Sequence, residues 1–396
     1  MSSQSSSTLG FGLILILGAI AALTPLAIDM YLPAMPTIAS DLGVTSGAVQ
    51  STLASYTAGF AIGQLLHGPL SDSYGRRPIL LVGVAFFAMA AVVSALANDI
   101  HMLTWVRAAQ GFAGAAAAVI IQALVRDMFE REEFARTMSF VTLVMTVAPL
   151  AAPMIGGYLS VWFGWRSVFW LLAGFAVLVL VLVTFKIPET LTPENRQPLR
   201  FMSVMRNYFR ILRTPQAMGL IMSGAFSFAG MFSFLTAGSF VYIDYYGVST
   251  QNFGYLFGLN VVCLIVMTSM NGRMVRRKGS HWMLRFGLTV QLVAGILMVI
   301  GQLAGFGLVG TVIPVMLFVG AISVVGSNGM ACLLSGYPQL AGTASALSGT
   351  MRFGVGAVIG AVLAAVPGID PWPMVISMGG CAVLSSVLYW GLSRNA

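Results

Sequence analysis

Apolar runs of about twenty residues, each closed by a short polar turn, recur along the whole chain. They fall at about 9–30, 48–68, 79–97, 102–125, 137–160, 167–186, 217–240, 252–271, 282–304, 308–332, 342–366 and 372–393. A helix needs about 20 apolar residues to cross the hydrocarbon core of a bilayer. The runs are unbroken, whereas barrel strands alternate. The pattern therefore predicts an all-α polytopic membrane protein with twelve transmembrane helices. The fifth and eleventh runs are rich in Gly, Ala and Pro, which blurs their limits.

Composition agrees with the pattern. The chain is 58% hydrophobic and 8% charged, against roughly a quarter charged in soluble domains. The N-terminus, MSSQSSSTLG, lacks a basic region and a small-residue cleavage site, so the first run reads as a retained span. Cys263, Cys332 and Cys381 all fall inside predicted spans, without pairing or metal spacing, and read as small buried hydrophobes. His67, His101 and His281 lie near span ends and read as interfacial. No metal-ligand set, Walker-type GxxxxGKS/T or Ser/His/Asp spacing is found in the sequence. No cofactor, no metal and no enzymatic activity are expected.

Charge sets the topology. With both termini on one side, 17 of the 20 Lys and Arg residues fall on that side, Arg166 alone falls opposite, and Arg107 and Arg352 lie within spans. Such asymmetry marks a cytoplasmic face. The net charge of +8 then reads as a topology signal resting against anionic headgroups, with no nucleic-acid partner.

The longest polar stretch, 188–215, carries four prolines and several arginines. It reads as a cytoplasmic linker between six-helix halves, 1–187 and 216–396. A weak repeat supports duplication: Arg76-Arg77 and Arg276-Arg277 stand 200 positions apart, and Thr137-Met138-Ser139 and Thr343-Ala344-Ser345 stand 206 apart. Gly272 occupies the place of Asp72 in the second copy. Paired repeats are a common plan of secondary transporters, with the substrate site between them at the midplane.

A few polar residues interrupt this apolar plan. In the turn GPLSDSYGRRP (68–78), Gly75 permits a sharp reversal, and Asp72 and Arg76 can pair with each other or with Asp127 and Arg126. Arg107, followed by Gln110, sits in the fourth run, at a cost of at least ~2.5 kcal/mol if it faced lipid. Asp29 is the only acid in the first run. Low dielectric favours its neutral form and a nearby guanidinium its charged form, so it is the candidate proton carrier, with Arg107 as modulator. Pro149, Pro153, Gly156 and Gly157 crowd the fifth run, where prolines bend a helix and small residues allow close approach. Phe226, Phe228, Met231, Phe232 and Phe234 in the seventh run fit lipid contact, core, or an adaptable drug-binding wall. Arg352 is expected to face a cavity. Asn260, Asn328, Tyr56 and Gln122 are either interhelical hydrogen-bonding groups or substrate contacts.

Three segments carry a family resemblance. Gly68-x-Leu70-x-Asp72-x-x-Gly75-Arg76-Arg77 resembles motif A of the major facilitator superfamily. Leu103-x-x-x-Arg107-x-x-Gln110-Gly111 resembles motif B, and Ala152-Pro153-x-x-Gly156-Gly157 resembles the antiporter motif C, with Ser139, Ala148 and Ala152 in place of some of its glycines. The whole chain, notably 25–36 and 223–238, is similar to the Bcr/CflA group of drug:proton antiporters. The resemblance implies the major facilitator fold, with two pseudo-symmetric six-helix bundles in a bacterial inner membrane. It implies a monomer that exports small drug-like molecules in exchange for protons. It also implies a proton site at Asp29 and Arg107, and a cytoplasmic gate at Gly68, Asp72, Gly75, Arg76 and Asp127. The substrate cavity would use Tyr56, Gln110, Phe228, Met231, Phe232, Asn260 and Arg352. Two alternatives remain: a proton-coupled nutrient importer on the same scaffold, and a non-transporting membrane receptor. The receptor would need a larger soluble domain than loops of about 30 residues supply.

Overall fold

A computed structural model describes residues 4–129, 131–196, 198, 201–337 and 340–393. Arg200 and Arg394, both counted on the basic side, lie outside the described residues. In the first half, α1 (Gln4–Asp29) and α2 (Met35–Asp41) are joined by a 3-10 turn over Leu32–Ala34. Pro33 and Pro36 lack the N–H donors that a continuous helix needs, so the first span bends after Asp29 and continues to Asp41, beyond the predicted limit at 30. Then follow α3 (Ser46–Tyr74), α4 (Arg76–Ala95), α5 (Ile100–Met128), α6 (Arg131–Phe163) and α7 (Arg166–Lys186). A short amphipathic helix, α8 (Phe201–Leu212), precedes the second half. The second half comprises α9 (Pro215–Ser239, ending in a π-turn over Phe240–Tyr245), α10 (Thr250–Lys278), α11 (Ser280–Leu303), α12 (Gly307–Gly336), α13 (Ala341–Ala364) and α14 (Pro371–Leu392).

Eleven helical stretches among the described residues are long and apolar enough to cross a membrane. The twelfth is α3, 29 residues long but carrying Gln50, Thr52, Thr57, Gln64 and His67. Those polar residues are tolerated because α3 is wedged between α5 and α13. His67, expected at the interface, is buried there and pairs through Nδ1 with the Gly63 carbonyl at 2.8 Å.

Within the first half α5 packs against α3 and α4, and α1 packs against α5, α6 and α7. Within the second, α9 packs against α13 and α14, and α12 against α10 and α11. The halves meet along two seams, α3–α13 and α6–α10. Small residues make both: Gly47 abuts the Ala364 backbone, Gly360 abuts Ala54, and Gly254 abuts Met154. With lipid outside, close backbone approach and dispersion hold helices together where the hydrophobic effect cannot. On the face opposite the arginine-rich turns, Ser46 Oγ donates to the Gly368 carbonyl across the α3–α13 seam. Also on that face, Asp41 accepts from Trp165 Nε1 at 2.9 Å and from Arg166 at 2.8 Å, which fastens the end of α2 to the start of α7. The outer belt exposes large apolar side chains such as Trp105, Phe163, Phe185 and Leu303, as lipid-facing helices do. The chain is a multi-pass membrane protein.

Candidate functional site

Arg107 of α5 is wholly buried. Its Nη1 donates to Gln110 Oε1 at 2.8 Å and its Nη2 to the Ala27 carbonyl at 3.1 Å. Its guanidinium lies over Tyr31 (4.7 Å), Tyr56 (4.4 Å) and Phe169 (5.8 Å). Tyr31 is itself held by Thr52, its hydroxyl 2.6 Å from Thr52 Oγ1. A charge removed from water needs such replacements, and each desolvated cation–π contact contributes up to about 2 kcal/mol. The shell is incomplete: Arg107 Nε, Gln110 Nε2, Tyr56 OH and Thr24 Oγ1 are buried without a partner.

Asp29 ends α1 in the same region and is 6% exposed. It forms no ion pair with Arg107. The guanidinium instead takes the carbonyl two residues earlier, at Ala27. Arg107 and three residues expected to line the substrate cavity, Tyr56, Gln110 and Phe232, are wholly buried in this structure. One small cavity lies elsewhere, lined by Gln50, Phe240, Leu363 and Asp370 near the far face.

The second half supplies another guanidinium. Arg352 of α13 sits between Gly224 of α9 and Gly326 of α12 and donates from Nη2 to the Gly326 carbonyl at 3.2 Å. Its Nε has no partner. Next to it, Phe353 meets Phe60 of α3 (4.4 Å) and Phe228 of α9 (4.8 Å). Phe228 packs on Phe232 (5.6 Å), and Phe60 on Tyr56 (6.4 Å). An aromatic chain thus crosses the α3–α13 seam from the Arg107 box to the neighbourhood of Arg352. Met231 packs half-buried against the same core. Asn260 is buried with both amide atoms unpartnered. Asn328, by contrast, is satisfied by Asn271 Oδ1 (2.7 Å) and the Val324 carbonyl (2.8 Å), which makes it an interhelical tie. Gln122 is exposed on the flank of α5.

The charged turn forms a network at the basic face. Arg76, nearly buried, pairs with Asp72 (2.5 Å) and Asp127 (3.4 Å) and donates to Ser71 Oγ (2.7 Å). Arg126 stands 3.8 Å from Asp127. Gly75 turns the chain with φ +106°, a region that side chains resist. Gly68 lies four residues before Asp72 on α3, with Val119 as its neighbour. Glu189, not foreseen, completes the set. Its Oε1 accepts from the Arg76 and Leu191 amides (both 3.0 Å) and its Oε2 from the Arg77 amide (3.3 Å). A carboxylate there caps the N-terminus of α4. The only sequence signal was an acid directly after a span, at Pro188-Glu189-Thr190. The partners named here come from the first half and, at Glu189 and Leu191, from the start of the 188–215 stretch.

In α6, Pro149 and Pro153 lie inside the helix. Gly156 abuts the Met30 backbone, the residue after Asp29, and Gly157 abuts Thr250 at the start of α10. The pair joins the bend of the first span to the second half.

A twelve-helix, two-half fold with this buried arginine and charged turn defines a polytopic transporter scaffold. The Major Facilitator Superfamily family model matches residues 17–392, and the chain belongs to that family. It is 42% identical over 394 residues to the bicyclomycin resistance protein homolog of Haemophilus influenzae, covering 99% of this chain and 98% of the relative. It is 28% identical over 393 residues to a chloramphenicol resistance protein of Pseudomonas aeruginosa, covering 96% and 89%. The crystal structure of a D-xylose-proton symporter superposes with a TM-score of 0.75 at 17% identity, covering 96% and 97%.

Proposed function

We propose that the chain is a proton-coupled efflux transporter, exchanging small drug-like molecules for protons by alternating access in a bacterial inner membrane. Residues 1–187 and 216–396 act as the moving halves, with 188–215 as a linker at the cytoplasmic basic face. The single observation that carries this reading is a pair of buried groups near the bend after α1: Asp29, 6% exposed, and Arg107, which holds the Ala27 carbonyl two residues before it and whose hydrogen-bonding shell is incomplete. A carboxyl group in so dry a place loads and releases a proton when rocking of the halves admits water. The unsatisfied donors around Arg107 await either that water or substrate. The drug-resistance names of the relatives support export.

A second reading, import of a nutrient with protons, is favoured by the likeness to a proton symporter, which concerns the fold alone. Inverted membrane vesicles that report internal pH separate the two. Under an imposed gradient with an acidic lumen, drug addition releases lumenal protons in the exchange reading. An uncoupled or oppositely signed response overturns it.

A further inference from the structure

Among the described residues, Asp29 is the only acid in the middle of a membrane span (Gly12–Asp41); the other described acids sit at span ends, in turns or in the linker. Two guanidiniums, Arg107 and Arg352, stand within other spans. Two positive charges less one negative leave the core at +1 with Asp29 ionised and +2 with it protonated. Arg352 has no acid on α9, α12 or its own helix to meet it.

The unsatisfied groups lean the same way. Arg107 Nε, Gln110 Nε2 and Arg352 Nε are buried donors without acceptors, and the Tyr56 and Thr24 hydroxyls can donate as well. Against them stand three free amide acceptors, Gln64 Oε1, Gln291 Oε1 and Asn260 Oδ1, the last balanced by its own Nδ2. Between the two guanidiniums runs the ring series Tyr56, Phe60, Phe353 and Phe228. In a low-dielectric site, buried donors lacking partners are costly, and a ligand that brings acceptors relieves that cost.

We propose that the central site selects apolar or aromatic solutes rich in hydrogen-bond acceptors, uncharged or anionic, and rejects lipophilic cations. This deepens the transporter reading and rests on it. The rings supply dispersion to the body of the solute. Arg352 and the Arg107 shell supply donors to its carbonyl, nitro, sulfonyl or carboxylate oxygens. A permanent cation would enter a core already positive, and would meet its one acid only by displacing the proton.

The test is equilibrium binding to the purified full chain in lipid nanodiscs. The probes are chloramphenicol (neutral, acceptor-rich), sulfathiazole (weakly acidic) and tetraphenylphosphonium (a lipophilic cation). The wild-type chain binds the first two at least about tenfold more tightly than the cation, a difference of about 1.4 kcal/mol. Arg352→Gln narrows that preference, Arg352→Glu admits the cation, and Arg352→Lys keeps it out. Circular dichroism and size-exclusion profiles show that each variant is folded. Equal or tighter binding of tetraphenylphosphonium by the wild-type chain overturns the proposal, as does an unchanged preference in Arg352→Glu or no binding of either acceptor-rich probe. A preference found without any proton movement in vesicles would keep the selectivity and sink the coupling, so the two readings fail separately.

Discussion

The Arg107 guanidinium donates to the Ala27 carbonyl at 3.1 Å, two residues before Asp29, and makes no ion pair with the carboxylate itself. Arg107 thereby fixes the end of α1 and the position of Asp29 without neutralising it. An ion pair at this place would hold Asp29 charged and oppose protonation. Withholding the pair leaves the carboxyl free to change state.

Replacing Arg107 should therefore disturb position more than charge. We expect Arg107→Leu to lose both hydrogen bonds and the contacts with Tyr31 and Tyr56, destabilising the first half by roughly 2–4 kcal/mol. Arg107→Lys should recover part of that stability but little transport, because an ammonium cannot span Gln110 and Ala27 as a planar fork does. Thermal unfolding in detergent beside vesicle transport checks both. Equal transport by Arg107→Lys and wild type would show that geometry is immaterial here.

At the basic face, Glu189 holds the first amides of α4. We expect Glu189→Ala to cost about 1–2 kcal/mol through loss of the cap and its interaction with the helix dipole, and Glu189→Gln less. Gly75→Ala should cost about 1–3 kcal/mol, since φ +106° is strained for any side chain and its methyl would press on the Glu189 carboxylate. Melting temperatures of the three variants give the order. A harmless Gly75→Ala would contradict the turn geometry.

Gly156 meets the Met30 backbone so closely that a methyl group has no room. Gly156→Ala should push α6 away from the bend after Asp29, costing about 1–3 kcal/mol and loosening the α6–α10 seam. The expected result is a folded transporter that leaks protons without drug, read as faster collapse of an imposed pH gradient in proteoliposomes. Gly174→Ala, where a methyl meets nothing, is the matched control and should not leak.

How much of this was legible in the sequence depends on the reach of each force. The membrane helices were readable because lipid imposes a length and composition on every one of them. The Asp72–Arg76 pair was readable from its four-residue spacing. The box around Arg107 was not: Tyr31, Tyr56 and Phe169 come from α3, α7 and the turn after α1, and periodicity cannot say which rings of separate helices converge. Glu189 escaped for the same reason, reaching Arg76 across 113 positions. The bend after Asp29 was hinted at by Pro33, but the continuation to Asp41 needed the packing of that bend against α6 and α10 to become visible.

The proton-carrier role of Asp29 is tested most directly by purified Asp29→Asn in proteoliposomes, with drug accumulation and drug–drug exchange measured on the same preparation. Exchange needs only the moving halves and should persist near the wild-type rate, while accumulation driven by an imposed pH gradient should vanish. Gradient-driven accumulation at the wild-type level in Asp29→Asn would show that the proton travels by another group.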